Sequence, residues 1–432
     1  MRKYSILTII CLLAITSCKD PQATFDKLSS EVKKEFAPDR RSSIYDIKLE
    51  ENGKELILRG LTTEQGAKDA LLKGLDSLGV SILDSVTVID STCEDNYALA
   101  TLSVNNLRYS PNYSAEMATQ VLMGAPLRTF QKDGNWIKVQ TPEGYFGWVT
   151  SKSVKPITKE EYEKWKASKR LVVTKHYTLF RAEPREDADV VCDGVWGDIV
   201  NRYDTQATKD WENFGLSLVS GVGKYYRVML PGGEVAYVLK SDVKDFDTWL
   251  DGMKTYVTKD SPAKDIEAAQ DAIIATAKQF LGFPYLWAGT SIKALDCSGF
   301  SKTTYQLNGI QLLRDASQQA KTGEHVDIEN GWENLQKGDL LFFGRKASEG
   351  KSERITHVGI YIEDGVFIHS ASVVRINSLD PESDIYYSGS KNLVRARRIL
   401  TNHDITPDIT TLKHGGLYKY LITKQIYHNG NK

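Results

Sequence analysis

Cysteine is scarce in this chain of 432 residues, and its five cysteines form no Cys-x-x-Cys pair. The absence of such a pair argues against a structural zinc site. The net charge of −1 gives no electrostatic reason to expect a nucleic-acid partner. The apolar run at 6–15 is too short to span a bilayer. What remains is the composition of a folded, multidomain protein, with 41% apolar and 26% charged residues.

The N-terminus has the pattern of an export signal at 1–18. Arg2 and Lys3 precede the apolar run, and Thr16 and Ser17 follow it as small residues. The stretch "LLAITSC" resembles a bacterial lipobox, which predicts that Cys18 becomes a lipidated N-terminus and holds the protein to a membrane. The sequence therefore predicts an exported lipoprotein of the cell envelope, with a plain secretory signal as the alternative.

The remaining cysteines are Cys93, Cys192 and Cys297, in an exported chain where disulfides could form. Their odd number leaves at least one thiol free. Because Cys93 and Cys192 fall in different predicted domains, we expect both to be buried apolar residues, with a bridge between them as the alternative.

Residues 19–43 are polar and predict a tether, and residues 44–104 predict a small α+β domain. Within it, "IYDIKLEENGKELIL" alternates around a turn and predicts a hairpin, whereas "TTEQGAKDALLKGLDSLG" has helical spacing and a capping signal. "VSILDSVTVI" and "YALATLSV" predict further strands. No chemistry is visible in this domain.

An internal repeat follows, since "NWIKVQTPEGYFGWVTSKSV" at 135–154 aligns without gaps on "KYYRVMLPGGEVAYVLKSDV" at 224–243. The repeat resembles the bacterial SH3-like barrel, which predicts two such β-barrels at 105–155 and 172–245. The second carries an insertion around "DTQATKDWENFG". "ITKEEYEKWKAS" between them predicts a helical connector.

The last domain, predicted at 262–405, opens with a helix at 265–282. Cys297 stands before a second possible helix, "SGFSKTTYQLNG", whose N-terminus would favour a thiolate. "THVGIYIEDGVFIHSA" predicts a hairpin, and a centre near Glu363 places His357 and His369 nearly opposite each other on one face. Two imidazoles beside a thiol could serve as base and orienting group. A buried apolar Cys297, or a Cys-His-His zinc site, remains the alternative.

Four motifs give this domain a family resemblance. "PYLWAGTSIKALDCSGF", "LQKGDLLFF", "ITHVGIYI" and "VFIHSA" are together similar to the NlpC/P60 family of papain-like cysteine peptidases, over about 265–400. The resemblance implies an α+β peptidase fold without a cofactor. It implies that Cys297 is the nucleophile, His357 the general base and His369 the polar group that orients it.

The same resemblance implies substrate-binding residues. Tyr285 matches a tyrosine whose hydroxyl reaches the active site, and Asp296 and Ser298 match positions that help to bind the amine and carboxylate end of the substrate. "RDASQQ" places three further residues near the cleft: Arg314, Asp315 and Ser317. As an alternative, Asp315 and Ser317 could cap the helix that begins there.

Two SH3-like domains ahead of the peptidase resemble the YkfC-like γ-D-glutamyl-L-diamino acid endopeptidases, also named dipeptidyl-peptidase VI. That resemblance implies that the first barrel closes the cleft and selects a free N-terminal L-alanine through Glu116, with Tyr145 as its partner. Both residues could instead be ordinary surface residues of a small barrel.

The implied activity is hydrolysis of the γ-D-glutamyl–diamino acid bond in released murein peptides, for peptide recycling, by a monomer. A hydrolase of intact wall and a non-catalytic wall-binding lipoprotein are the alternatives. Lysine and diaminopimelate both remain open as the diamino acid.

Overall fold

The computed structural model describes residues 20–53, 55–77, 79–89, 97–203, 223–404 and 408–415. These form two compact units, of which the first ends before residue 95. The export signal with Cys18, the cysteine Cys93 and the predicted insertion "DTQATKDWENFG" lie outside the described residues, so their assignments stay predictions. Within the described ranges, no helix is both long enough and apolar enough to cross a bilayer.

The first unit combines two helices with a three-stranded sheet. Its elements are α1 (Pro21–Phe36), β1 (Tyr45–Asn52), β2 (Glu55–Thr62), α2 (Gln65–Ser77) and β3 (Leu83–Val88). The predicted hairpin is confirmed, because β1 and β2 pair antiparallel from Tyr45 with Thr62 to Asn52 with Glu55. β3 adds to the sheet in parallel with β2.

The prediction of a tether at 19–43 is wrong for most of that segment, which forms α1. Phe25, Leu28 and Val32 lie on one face of α1 and are buried in the core of the first unit. The packing against α2 is close, since a Cβ on Gly74 would lie 2.5 Å from Leu28 Cδ2. A narrow apolar stripe in a polar segment is therefore enough to fold it.

The first barrel is a seven-stranded sheet. Its strands are β4 (Tyr97–Ala100), β5 (Val104–Arg108), β6 (Met117–Leu122), β7 (Pro126–Asp133), β8 (Trp136–Gln140), β9 (Phe146–Thr150) and β10 (Val154–Ile157). The predicted domain boundary at 104 is wrong, because β4 pairs with β7 and β10 of this barrel. β4 therefore belongs to the barrel, because it lies between β7 and β10 in that sheet, and not to the α+β domain that precedes it. The connector is helical as predicted, as α3 (Lys159–Ala167).

The second barrel repeats this architecture. Its strands are β11 (Arg170–Val173), β12 (Tyr177–Arg181), β13 (Val190–Val195), β14 (Ile199–Arg202), β15 (Tyr225–Met229), β16 (Val235–Leu239) and β17 (Val243–Asp245). The orders β10-β4-β7-β8-β9-β5-β6 and β17-β11-β14-β15-β16-β12-β13 correspond strand for strand. Arg108 donates to the carbonyl of Ala115, and Arg181 donates to the carbonyl of Ala188 in the same way. The internal repeat is therefore structural as well as sequential.

The C-terminal domain packs helices against a six-stranded sheet of order β21-β26-β22-β23-β24-β25. After α4 (Phe246–Asp251) its helices are α5 (Ala263–Lys278), α6 (Cys297–Gln306), α7 (Ala316–Gln319) and α8 (Leu412–Gly415). Its strands are β18 (Thr290–Ser291), β19 (Ala294–Leu295), β20 (Ile310–Leu312), β21 (Glu324–Val326), β22 (Leu340–Arg345), β23 (Arg354–Glu363), β24 (Val366–Ala371), β25 (Val373–Ser378), β26 (Leu393–Arg398) and β27 (Ile409–Thr411). One core joins α5 and α6 to the sheet.

The first barrel is fixed to this domain by buried polar contacts. Gln120 Oε1 accepts a hydrogen bond of 2.9 Å from the backbone N–H of Thr290. Lys302 of α6 pairs with Glu143 of the barrel at 3.3 Å, and both side chains are buried. The barrel and the helix that starts at Cys297 therefore form one rigid element.

We predict that Leu28→Ala destabilises the first unit by about 2–5 kcal/mol, because a buried leucine is replaced by a cavity between α1 and α2. Thermal unfolding of the full chain measures the effect. Lys27→Ala on the exposed face of α1 is the matched control and leaves the unfolding temperature nearly unchanged. Equal effects of the two substitutions would contradict the packing role of α1.

Candidate functional site

Cys297 is the first residue of α6, and the residue before it caps the helix. Asp296 Oδ1 accepts a hydrogen bond of 2.6 Å from the backbone N–H of Gly299. Gly299 has no room for a side chain, since a Cβ there would lie 1.9 Å from the carbonyl oxygen of Gly289. The Asp-Cys-Ser-Gly sequence thus sets the helix start tightly against the preceding loop, with Cys297 only 8% exposed.

The two histidines meet, although the predicted centre of their hairpin is wrong. Asp364 and Gly365 both have positive φ and form the turn, so Ile360 pairs with Ile368. His369 consequently lies beside Gly359 and not opposite His357. A displacement of two residues along a strand keeps the face. His357 Nε2 and His369 Nδ1 are therefore still within 2.6 Å of each other.

The thiol lies where β23 and β24 separate. Their ladder pairs only residues 360–363 with 366–368, which leaves the preceding part of β23 beside the start of α6. The backbone N–H of Val358 forms a hydrogen bond with the Cys297 thiol. Ser370 of β24 donates a 2.9 Å hydrogen bond to the carbonyl of Leu295. Both strands thus hold the start of α6, and the thiol contacts the residue that follows His357.

A chain of hydrogen bonds fixes the imidazole tautomers. Asn377 Nδ2 donates to the carbonyl of Ile385 at 2.8 Å, so its Oδ1 is the atom that accepts from His369 Nε2 at 2.9 Å. His369 Nδ1 is then an acceptor, and His357 Nε2 must donate to it. The Nδ1 atom of His357 consequently carries a lone pair. That nitrogen can take the thiol proton.

Burial decides the charge state of the resting site. Burial raises the pKa of Cys297 to about 12, and the Asp296 carboxylate adds to the rise. Burial, followed by the charges of His369 and Arg375, lowers the pKa of His357 to about 3, and burial lowers that of His369 to about 4. The predicted depressed pKa of Cys297 is wrong for the free site, which holds a neutral thiol and neutral imidazoles.

Two tyrosines line the same site. The pKa of Tyr285 is raised by burial and then by the charge of Cys297, which places its hydroxyl near the sulfur as predicted. The ring of Tyr387 packs edge-on against His369, with centroids 4.8 Å apart, and lies 6.0 Å from His357. Tyr387 and Asn377 were missed by the sequence reasoning. The period of two along β25 puts Asn377 on the face of His369, and that signal was available.

Three of the predicted substrate-binding residues are buried: Arg314, Asp296 and Ser298. Arg314 is 1% exposed and donates to both carboxylate oxygens of Asp296, at 3.2 and 2.6 Å, and to Ser298 Oγ at 2.9 Å. Its Nε donates to Thr119 Oγ1 of the first barrel at 2.9 Å. These contacts make Arg314 a positioning residue and correct its prediction as a substrate contact. Asp296 and Ser298 are buried in the same network.

The predicted residues of the first barrel do reach the peptidase domain. Glu116 Oε1 accepts a hydrogen bond of 2.8 Å from Trp287 Nε1. The hydroxyl of Tyr145 donates to Asp315 Oδ2 at 3.1 Å and shares a 2.8 Å hydrogen bond with that of Tyr109. Burial, and then the charges of Asp315 and Glu116, raise the pKa of Tyr109, so both carboxylates lie near it. The contact between the two domains thus brings two carboxylates, Glu116 and Asp315, close to Tyr109.

The alternative role of Asp315 as a helix cap is also confirmed. Asp315 is the N-cap of α7, and its backbone N–H donates to Gln318 Oε1 at 3.2 Å. Ser317 lies half-buried within α7. Asp315 therefore both starts a helix and faces Tyr145.

The zinc alternative does not fit the histidine geometry. His357 Nε2 and His369 Nδ1 point at each other and not at a common point with the thiol. The parts of the chain that the structure describes contain no group of three or more His, Cys, Asp or Glu side chains placed to hold a metal ion. Cys192, the other described cysteine, is a half-buried free thiol in the second barrel.

Comparison with known proteins matches two regions. The NlpC/P60 family matches residues 282–396, and the bacterial dipeptidyl-peptidase Sh3 domain matches residues 107–154. A gamma-D-glutamyl-L-lysine dipeptidyl-peptidase of Bacillus cereus is 33% identical over 62% of this chain and 71% of its own length. A dipeptidyl-peptidase 6 of Lysinibacillus sphaericus is 26% identical over 67% of this chain and 94% of its own length. The crystal structure of an NlpC/P60 family protein from Bacillus cereus is 26% identical, with a TM-score of 0.53, over 70% of this chain and 99% of its own.

We predict that Asn377→Ala lowers kcat/KM by about 100-fold, because His369 loses the acceptor that fixes its tautomer. Asn377→Asp keeps an acceptor there. Its added negative charge raises the pKa of the imidazole pair, so the acid limb of the pH profile moves to higher pH while activity persists. The measurement is kcat/KM against pH for both variants. An Asn377→Ala enzyme within twofold of wild type would contradict the tautomer chain.

We also predict that the second unit loses stability as pH falls below about 6.5. Both histidines have lowered pKa values in the folded chain, so the unfolded chain binds protons first. Each contributes a slope of about 1.4 kcal/mol per pH unit between its unfolded pKa, near 6.5, and its folded pKa of about 3 or 4. Calorimetric unfolding from pH 7 to pH 4.5 measures the slope. His357→Gln should show a shallower decline than wild type, and equal declines would contradict the buried neutral imidazole.

Proposed function

The chain belongs to the NlpC/P60 family and is a cysteine peptidase, and we propose that it hydrolyses the γ-D-glutamyl–diamino acid bond of released murein peptides with a free N-terminal L-alanine. The observation that carries the proposal is that the carboxylates of Glu116 and Asp315 both lie near Tyr109, where the first barrel contacts the domain that holds Cys297. The relatives named as gamma-D-glutamyl-L-lysine dipeptidyl-peptidases support a peptidoglycan-peptide hydrolase.

Attack begins from the neutral resting pair. As Cys297 Sγ bonds to the carbonyl carbon of the γ-amide, its proton moves to the free Nδ1 of His357. The His369–Asn377 chain holds that imidazole in position and disperses its positive charge. The backbone N–H groups at the start of α6 face the developing oxyanion.

The second half of the reaction returns the enzyme to its starting state. The proton on His357 Nδ1 passes to the leaving amine as the C–N bond breaks, which leaves a thioester on Cys297. A water molecule then attacks the thioester while His357 takes one of its protons. Return of that proton to sulfur releases the dipeptide acid and restores the thiol. No step requires a cofactor.

The pair of carboxylates near Tyr109 provides selection for the amine. An ammonium group there pairs with exposed Glu116 and with Asp315, and charge-assisted hydrogen bonds of this kind favour it strongly over an amide. In intact wall the alanine nitrogen is an amide attached to the glycan, so it carries no positive charge. The proposed enzyme therefore acts on released peptides and serves their recycling.

We propose that the protein works in the cell envelope. Lipidation of Cys18 would hold it at a membrane, where released wall peptides are available. The supporting observation is the signal-like sequence at 1–18. It is proposed to act there as a monomer, since Glu116, Asp315, Cys297 and both histidines come from one chain.

We predict that L-Ala-γ-D-Glu-L-Lys is cleaved and that its N-acetylated form is not, because acetylation removes the ammonium charge. Glu116→Gln should lower kcat/KM on the free peptide by about 10- to 100-fold, the range for a hydrogen bond between charged groups. Mass analysis of the products and initial rates provide the measurement, with a diaminopimelate peptide in parallel.

Two control variants accompany this experiment. Glu349→Gln removes an exposed carboxylate outside the cleft and should leave the rate unchanged. Cys297→Ala should be inert, because no thioester can form. Equal cleavage of the acetylated peptide, or faster digestion of insoluble sacculi, would overturn the proposed selection for free peptides. Absence of cleavage of every murein peptide by wild type would favour a wall-binding role instead.

A further inference from the structure

A second charged residue stands at the catalytic histidines. Arg375 of β25 is directly opposite His369 of β24 in the antiparallel ladder, so the two side chains project from one face of the sheet. His357 of β23 lies on the same face, hydrogen-bonded to His369. β25 is the edge strand of the six-stranded sheet, and Arg375 is exposed. His357, His369 and Arg375 thus form a row across three neighbouring strands, from the proposed general base to an exposed cation.

The guanidinium of Arg375 is unpaired within the described parts of the chain. Among the described residues it makes neither a hydrogen bond nor an ion pair. Three other arginines of this domain are engaged in ion pairs, Arg314 with Asp296, Arg395 with Glu353 and Arg398 with Asp339. An unpaired guanidinium beside a cleft is suited to bind a carboxylate, which matches its fork of donors.

The direction of the reaction shows which part of the substrate faces Arg375. His357 delivers its proton to the leaving amine, so the leaving group lies on the histidine side of the sulfur. The N-terminal amine belongs to the other end, at Glu116 and Asp315. In the leaving diamino acid, the α-carboxyl group is attached to the same carbon as the departing nitrogen. A free carboxylate there comes close to whatever cation flanks the imidazoles.

We infer that Arg375 binds the α-carboxylate of the leaving diamino acid and so selects peptides that end at that residue. This inference rests on the proposed function and extends it to the other end of the substrate. A peptide that continues beyond the diamino acid offers an uncharged amide in place of the carboxylate. The enzyme would then be matched to a tripeptide at both ends, by carboxylates for its amine and by a cation for its carboxylate.

Binding of a carboxylate would also adjust the histidines. The titratable and charged groups near His357 are His369, Arg375 and Tyr387, and Tyr387 in turn lies near Cys297. Burial is the main cause of the lowered pKa of both imidazoles. The charge of Arg375 lowers both pKa values further, although for His357 the charge of His369 has the larger effect. A bound anion offsets that charge and makes the protonated imidazole easier to form. The correct substrate would therefore assist the proton transfer that starts its own cleavage.

The test compares three peptides: L-Ala-γ-D-Glu-L-Lys, its C-terminal lysine amide, and the peptide with D-isoglutamine in place of D-Glu, which lacks the other α-carboxylate. Wild type is expected to prefer the first over the lysine amide by about 10- to 100-fold in kcat/KM. Arg375→Gln should lose most of that preference, whereas Arg375→Lys keeps the charge and should retain part of it. Arg345→Gln, which removes an exposed guanidinium bonded to the carbonyl of Ser352, is the matched control and should keep the full preference.

The pH profile of kcat/KM is a second measurement. A merely structural role of Arg375 would leave the position of its acid limb unchanged. Loss of its charge should shift the acid limb of kcat/KM in Arg375→Gln to higher pH, since this limb reports the free enzyme. An unshifted limb would overturn the electrostatic link between Arg375 and the imidazoles.

The outcomes separate this inference from the function on which it rests. Equal cleavage of the acid and the lysine amide by wild type overturns the inference and leaves the proposed function standing. A loss in Arg375→Gln confined to peptides with D-Glu, and absent with D-isoglutamine, assigns Arg375 to the other carboxylate and also overturns it. If wild type cleaves none of the three peptides, the proposed function fails and this inference fails with it.

Discussion

The buried ion pair between Arg314 and Asp296 connects the start of the nucleophile helix to the first barrel. Asp296 caps the helix that begins at Cys297 and also accepts a hydrogen bond from the backbone of Ala288. Arg314 carries the same network to Thr119 of the first barrel. Removing one partner of such a pair typically costs about 3–5 kcal/mol, because the other charge is left buried and uncompensated. Nucleophile position and the closed end of the cleft therefore depend on one interaction.

Burial opposes catalysis, because it disfavours the Cys297 thiolate and the His357 imidazolium, the two ions that form during the reaction. A helix N-terminus favours an anion by at most about 2 kcal/mol, and at Cys297 the loss of solvent together with the charge of Asp296 outweighs it. The imidazoles respond in the opposite direction for the same reason. The free site consequently keeps a proton on the sulfur of Cys297. That proton is transferred to the imidazole only when a substrate is bound. A buried thiol of this kind is also protected from adventitious oxidation between turnovers.

The sequence was most informative where local pattern and tertiary structure agree. The hairpin bearing His357 and His369 follows from period-two alternation and turn residues, whereas the two barrels follow from the internal repeat and its resemblance to the SH3-like barrel. Pairing of β4 with the first barrel is a long-range choice that no local pattern records. The turn at Asp364 and Gly365 shifted the histidines by two residues, which the face of the strand tolerated. The period of two along β25 places Asn377 on the face of His369, but its role depends on a hydrogen bond between neighbouring strands that the sequence alone does not record.

The two barrels share a strand order but differ in the side chains at matched positions. The paired arginine contacts place Asp189 of the second barrel where Glu116 stands in the first, and the aligned repeat places Glu234 at the position of Tyr145. Duplication has thus kept one backbone framework while the side chains at its two matched positions differ. Because Thr119 of the first copy is hydrogen-bonded to Arg314, a substitution in that copy is transmitted to the start of α6. The second copy has diverged on the same strand order, and its matched positions offer a natural comparison for the first.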